Sequence, residues 1–235
     1  MKYITRSFLS LLFLALMIFG LLLSLNIPAR NVLQPEIDWR IMLTDFFYSF
    51  IRVTLTALTA WITAIFIGKL LYSCPWLKAI TMPALNLIRH ISPYAWLPIA
   101  IIWFGLGEAP AAAILLTALF FPAVIMTAEN YESVLKEYRE EAHICGADAW
   151  QIFTLVEIPV LKAQFINLLR ILWGLGWTTV IAVEMLGVKN GLGFRLLDFR
   201  YLLQYENMLI YILIMGCAGI IVDNLLRHCL KIIPD

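Results

Sequence analysis

Six apolar stretches dominate this chain, at 8–25, 46–68, 79–104, 109–128, 163–184 and 207–226. Each is close to the roughly 20 residues that a helix needs to cross a bilayer. In lipid every backbone polar group must be satisfied within the protein, so only helices and closed barrels span it. A barrel needs strands that alternate polar and apolar residues, and no sustained alternation runs through these stretches. Composition agrees: 62% of residues are hydrophobic and 14% charged, against about 45–50% and about 25% in soluble domains. Mean hydropathy is +0.86. These values exclude a disordered chain, a basic nucleic-acid binder and an ordinary cytosolic enzyme. A net charge of +1 favours no charged macromolecule as partner, and Cys74, Cys145, Cys217 and Cys229 have neither metal-cluster nor disulfide-framework spacing. The predicted class is an all-α integral membrane protein, a single domain over 1–235 with about six transmembrane helices in contact with lipid.

The first stretch follows Lys2 and Arg6, as a signal peptide would, but no small-residue cleavage site precedes Asn26-Ile27-Pro28. We read it as a retained helix. Direction follows from Lys and Arg near the helix ends. With the N-terminus inside, Lys2, Arg6, Lys69, Lys78, Lys136, Arg139, Lys162, Arg227 and Lys231 are cytoplasmic, while Arg30, Arg40, Lys189, Arg195 and Arg200 are external. Arg52, Arg89 and Arg170 fall in or near the spans. Both termini are expected in the cytoplasm.

The third stretch is interrupted by Pro83, Pro93 and Pro98, with Arg89-His90 near its centre. Proline removes a backbone donor and kinks a helix, so a break is expected. Two readings stand: a broken helix beside a substrate path, or a packing kink with Arg89 reaching an interface.

Reactive groups are scarce. There is no zinc-protease or serine-hydrolase motif, no pair of aspartates on a span, and no phosphate-binding loop of the P-loop type. His143 and Cys145 alone do not make a metal site. The chain carries no catalytic residues, no metal and no cofactor of its own in this reading, and any ATP is hydrolysed by a partner.

The most informative segment is 129–162. Tyr131, Val134, Leu135, Tyr138, Ala142 and Cys145 recur at steps of three and four, one apolar stripe of an amphipathic helix. Gly146 is placed to end it. Asp148 and Gln151 have capping-box spacing for a second short helix, and Pro159 is expected to bend the chain into the fifth span. Helices that lie on lipid favour Lys and Arg on the polar face. This one is mainly acidic, so a protein partner fits better.

Glu140-Glu141-Ala142, Gly146, Val156, Ile158 and Pro159 resemble the E-A-A-x3-G-x9-I-x-L-P loop of the membrane permeases of binding-protein-dependent ABC importers. Glu141 replaces an alanine, Val156 an isoleucine and Ile158 a leucine. Ile88 to Glu108, Val183 to Gly193 and the surroundings of Asp223 are similar to the branch that imports nitrate, taurine, alkanesulfonates and thiamine precursors. The resemblance covers 46–231. It implies a permease subunit of an ATP-driven importer in a bacterial-type inner membrane, working with cytoplasmic ATPases that bind ATP-Mg. It also implies a periplasmic or lipid-anchored binding protein and a second permease subunit, expected to be an identical copy. The 129–162 loop would then dock on the ATPase, with Glu140, Ala142 and Gly146 central to coupling.

For the pathway, Arg89 and Arg170 are costly inside a bilayer, where such groups usually face the bundle interior or water. Either could meet an anion or reach an interface. Glu184 and Asp223 could pair with them or face water at helix ends. Gly191 and Gly193 suit a flexible external loop at the outer mouth, or a plain turn. A small anion such as a sulfonate, taurine or nitrate is the favoured cargo, and a thiamine precursor stacking on Trp96, Trp103, Trp173 or Trp177 is the alternative. An ion-driven carrier is the remote one; such carriers show an internal repeat, and none is evident here.

Overall fold

The computed structural model describes residues 37–185 and 187–232. The expected first span, 8–25, lies outside them. Among the described residues there are helices and no strands. Four helices are long and apolar enough to cross a membrane. They are α1 (Trp39–Ser73), the membrane part of α4 (Glu108–Ile144), the run that ends in α5 (Ile158–Glu184), and α7 (Tyr205–Ile232).

Between α1 and α4 the third stretch is broken just before Pro93, whereas Pro83 does not interrupt it and lies inside the first half. Helix α2 (Pro75–Arg89) stops at His90, and a 3-10 turn, Pro93–Trp96, leads into α3 (Leu97–Phe104). The halves are bent by 92°. Pro93 opens the second half and Pro98 stands in the first turn of α3, where a missing donor costs nothing. The break still carries the chain from one end of the bundle to the other. Lys78 on α2 pairs with Glu132 near the far end of the α4 span (2.5 Å), whereas Glu108, just after α3, pairs with Arg52. Arg52 and Ser73 are about 30 Å apart along α1 at about 1.5 Å per residue. Counted as one span, the bent pair brings the candidate crossings among the described residues from four to five.

Small residues let the helices approach. Ala57, Ala60 and Ala64 of α1 are fully buried. Gly68 lies against Thr127 and Gly176 against Val53 and Leu119, so that a Cβ on Gly176 would sit 3.1 Å from Val53 Cγ1. Such small-residue contacts are the usual glue between helices in lipid. Trp173 and Trp177 stack at 5.1 Å within the core, and the Trp177 indole donates to the Met215 carbonyl at 3.0 Å. These two rings are packing residues, not ring-binding surfaces of a pathway.

Two expectations for 129–162 need correction. The amphipathic helix does not begin after the fourth span; both are one 37-residue helix, α4. No glycine or proline falls between Pro122 and Gly146 to stop it. Nor does Pro159 separate the short helix from the fifth span. A helical turn, Ala149–Gln151, passes through a π-helical stretch, Ile152–Glu157, directly into α5, with Pro159 in its first turn. Pro159 has no N–H to return to the preceding turn, and the wider π turn just before it accommodates that loss. Helix α6 (Leu192–Tyr201) completes the other end of the bundle, between α5 and α7.

Candidate functional site

Functional features gather at the two ends of α5, about 40 Å apart for its 27 residues at about 1.5 Å each.

At the first end α4 projects beyond the bundle and stops at Ile144. Gly146 has φ +80, and the Ala147 N–H donates to the Ala142 carbonyl at 3.1 Å. This is the six-to-one bond of a Schellman ending, which needs a left-handed residue where glycine costs least. A Cβ on Gly146 would meet nothing within 4 Å, so the backbone angle, not space, calls for glycine. The expected capping box forms reciprocally: the Gln151 N–H donates to Asp148 Oδ1 at 2.7 Å, and the Asp148 N–H donates to Gln151 Oε1 at 3.0 Å. The knob presents apolar groups to its surroundings, with Ile144 87%, Trp150 71% and Leu155 71% exposed. Glu140 lies in the last turns of α4; Glu141 is exposed and Ala142 half-buried. Val156 is half-buried, Ile158 and Pro159 exposed. Glu157, the unspecified position of the loop pattern, is buried and lies 3.1 Å from Lys69 of α1.

At the other end a polar cluster closes over Glu184, the last residue of α5. Its carboxylate is fully buried and accepts from Ser49 Oγ (2.9 Å), the Gly193 N–H (2.8 Å) and Arg52 Nη1. Arg52 reaches past it to Glu108 with Nη2 at 2.7 and 2.8 Å and Nε at 3.0 Å. Glu108 is 62% exposed. One guanidinium, whose fork suits two carboxylates, thus joins α1 to the start of α4 and the end of α5. Asp45 extends the cluster, accepting from Arg195 Nε at 2.9 Å and from the Gly191 N–H at 3.3 Å. Desolvation pulls the Arg195 guanidinium down, yet its bond to Asp45 and the charges around it hold it above its ordinary value.

Gly191 and Gly193 are therefore not loose hinge residues. A Cβ on Gly191 would sit 2.6 Å from both Glu184 carboxylate oxygens, and one on Gly193 would sit 2.8 Å from Glu184 Cβ. Gly191 has φ +124. The backbone is laid directly on a buried carboxylate, and only glycine permits it.

The remaining expectations divide. Arg170 does pair with Asp223 of α7, Nε to Oδ1 at 2.5 Å, and Arg227 joins at 3.0 Å. Glu184 pairs with neither Arg89 nor Arg170 and is shut away from water. Arg89 ends α2 exposed, at the lip of a small crevice with Trp96, Thr117, Phe121 and Pro122 beside the broken span. Reading the sequence placed Arg52 in a span without assigning it a part. Its signal was a guanidinium inside an apolar run, which demands a partner.

A family model described as "binding-protein-dependent transport system inner membrane component" matches residues 58–231. The chain belongs to this family. Among curated members, the taurine transport system permease protein TauC of Escherichia coli (strain K12) is 31% identical over 146 residues, 62% of this chain and 53% of that one. A putative ABC transporter permease of Methanocaldococcus jannaschii is 33% identical over 145 residues, 61% of this chain and 54% of the other. The nitrate import permease protein NrtB of Synechocystis sp. is 28% identical over 178 residues, covering 76% and 65%. The chain thus spans about half the length of the first two. In fold, this inner membrane component is similar to a chain of the MetNI methionine ABC transporter in an inward-facing conformation. The TM-score is 0.72 at 15% identity, over 85% of this chain and all of that one.

Proposed function

We propose that this chain is the membrane permease subunit of an ATP-driven importer that takes a small anion from an external binding protein. The observation that carries this reading is the knob at Glu140–Pro159. A rigid turn fixed by Gly146 and a capping box offers Ile144, Trp150 and Leu155 outward. Exposed apolar side chains on a rigid element that projects beyond the bundle suit a protein partner. The knob carries the loop pattern of importer permeases, so on this reading its partner is the ATPase, and the knob faces the cytoplasm together with both termini. A second, identical copy completes the pathway, since five or six short spans hardly enclose a polar route alone.

The cargo class follows from the relatives. Those named for taurine, nitrate and bicarbonate transport all concern small solutes that bear an anionic group. In this chain Arg89, exposed beside the broken span, is the cation best placed to meet such a group, because Arg170 is already engaged by Asp223. Of the four tryptophans on which a thiamine precursor could stack, Trp173 and Trp177 are core residues, which leaves Trp96 and the exposed Trp103 for that alternative.

The test is purification in gentle detergent from the native host of the wild type and of Gly146→Asp. A copurified ATPase that is lost from Gly146→Asp, while the variant itself stays folded, supports the reading. A well-folded wild type that brings no ATPase with it overturns it.

A further inference from the structure

We infer that Lys69 is the positioning residue that ties the docking knob to α1 and carries its movement to the polar cluster around Arg52 at the other end of that helix. The inference rests on reading 129–162 as the ATPase-docking loop. Glu157 begins the argument. It is buried, and a buried carboxylate is costly unless a cation faces it. That cation is Lys69, its Nζ 3.1 Å from Glu157 Oε2. The same ammonium lies 3.4 Å from the centroid of the Phe153 ring, a cation–π contact. Phe153 and Glu157 both belong to the π-helical stretch, so one lysine of α1 grips the π turn at two points. Short π segments often sit at functional positions in helices.

The grip is one end of a series. Along α1 towards its other end, the Trp61 indole donates to the Phe165 carbonyl at 2.7 Å, Thr54 Oγ1 accepts from the Trp173 indole at 3.2 Å, and Arg52 holds Glu184. Every partner is on the run from Ile152 to Glu184. Arg52 and Lys69 are about 25 Å apart on α1 at about 1.5 Å per residue. Two helices tied at both ends and between cannot slide or splay independently, so a push on the knob is delivered to Arg52, and through it to Glu108, Glu184 and the loop over Gly191 and Gly193. Lys69 is the tie nearest the knob, yet Ile144, Trp150 and Leu155 do not depend on it for their exposure. Its loss should separate docking from transmission.

The test uses the full complex with its ATPase in lipid nanodiscs and follows hydrogen exchange over 147–158 and 187–196, with and without ATP-Mg and vanadate. In the wild type both segments respond. Lys69→Met is expected to keep the ATPase and the response of 147–158 but to weaken that of 187–196, since the ties at Trp61, Thr54 and Arg52 remain. Lys69→Glu should do the same, and adding Glu157→Lys to it should restore the distant response, which a merely structural lysine would not produce. If Lys69→Met does not fold, the single and exchanged charge variants give the same comparison. A full response at 187–196 in Lys69→Met, release of the ATPase by that variant, a wild type whose 187–196 segment never responds, or no restoration by the exchange each overturns the inference. A wild type without any ATPase is a different failure, that of the docking reading itself.

Discussion

Replacing Arg52 by methionine tests whether the cluster over Glu184 is structural cement rather than an open binding point. Methionine keeps an unbranched apolar chain of similar reach. The substitution removes the three Arg52 bonds to Glu108 and, among the described residues, the only cation bonded to Glu184, leaving that carboxylate with Ser49 and the Gly193 N–H. Breaking a buried pair by deleting one partner costs about 3–5 kcal/mol. For a chain of this size each kcal/mol moves the midpoint by about 2–4 °C, so the thermal midpoint in detergent should fall by on the order of 10 °C. Glu108→Gln is the control. It removes a negative partner of the same guanidinium, but one whose carboxylate is 62% exposed, and exposed pairs are worth about 0–1 kcal/mol. The double change Arg52→Met with Glu184→Met should recover most of the loss, because replacing both members of a buried pair by apolar groups is often neutral. The assay is the loss of the monodisperse chromatographic peak on heating, at one heating rate for all variants. Equal shifts for Arg52→Met and Glu108→Gln, or no recovery in the double variant, would mean that the buried pair of Arg52 and Glu184 does not hold the cluster together.

Other substitutions should follow the local geometry. Gly193→Ala drives a methyl group into Glu184 and should lower the thermal midpoint sharply, whereas Gly174→Ala has open space in a helix interior and should stabilise by up to about 1 kcal/mol. Gly146→Ala forces a side chain into a left-handed turn at about 1–2 kcal/mol; the same detergent preparation should show weaker ATPase retention with little change in bundle stability. In uptake assays with taurine and with nitrate, Arg89→Gln should raise the apparent KM for whichever anion is carried, while Asp223→Asn, which touches only the Arg170 and Arg227 pairs, should leave KM unchanged.

Much of this architecture is legible in the sequence because it is local. Long apolar runs mark the spans, prolines mark the break at His90, and the spacing of Asp148 to Gln151 marks a cap that the structure forms. Helix ends read less well where the stop signal is absent. Nothing after Pro122 halts α4 until Gly146, so span and amphipathic helix fuse, and Pro159 is absorbed by a π turn that no periodicity announces. The pairings of Arg52 with Glu184 and Lys69 with Glu157 join residues far apart in the chain. Each member alone looks like an ordinary charge at a span's end or inside it. Gly191 and Gly193 illustrate the same limit, for a glycine needed for closeness and one needed for freedom are identical letters until the carboxylate beneath them is seen.

The knob around Gly146 is proposed as the seat of an ATPase. The most direct measurement is photo-crosslinking in native membranes, with a photoreactive phenylalanine analogue in place of Trp150, which is 71% exposed on the knob, and in place of Ile102, which is 79% exposed on α3 in the broken span. An adduct between position 150 and an ATP-binding subunit is expected, and none from position 102. An ATPase adduct from position 102, or a position 150 that marks only lipid, would contradict it.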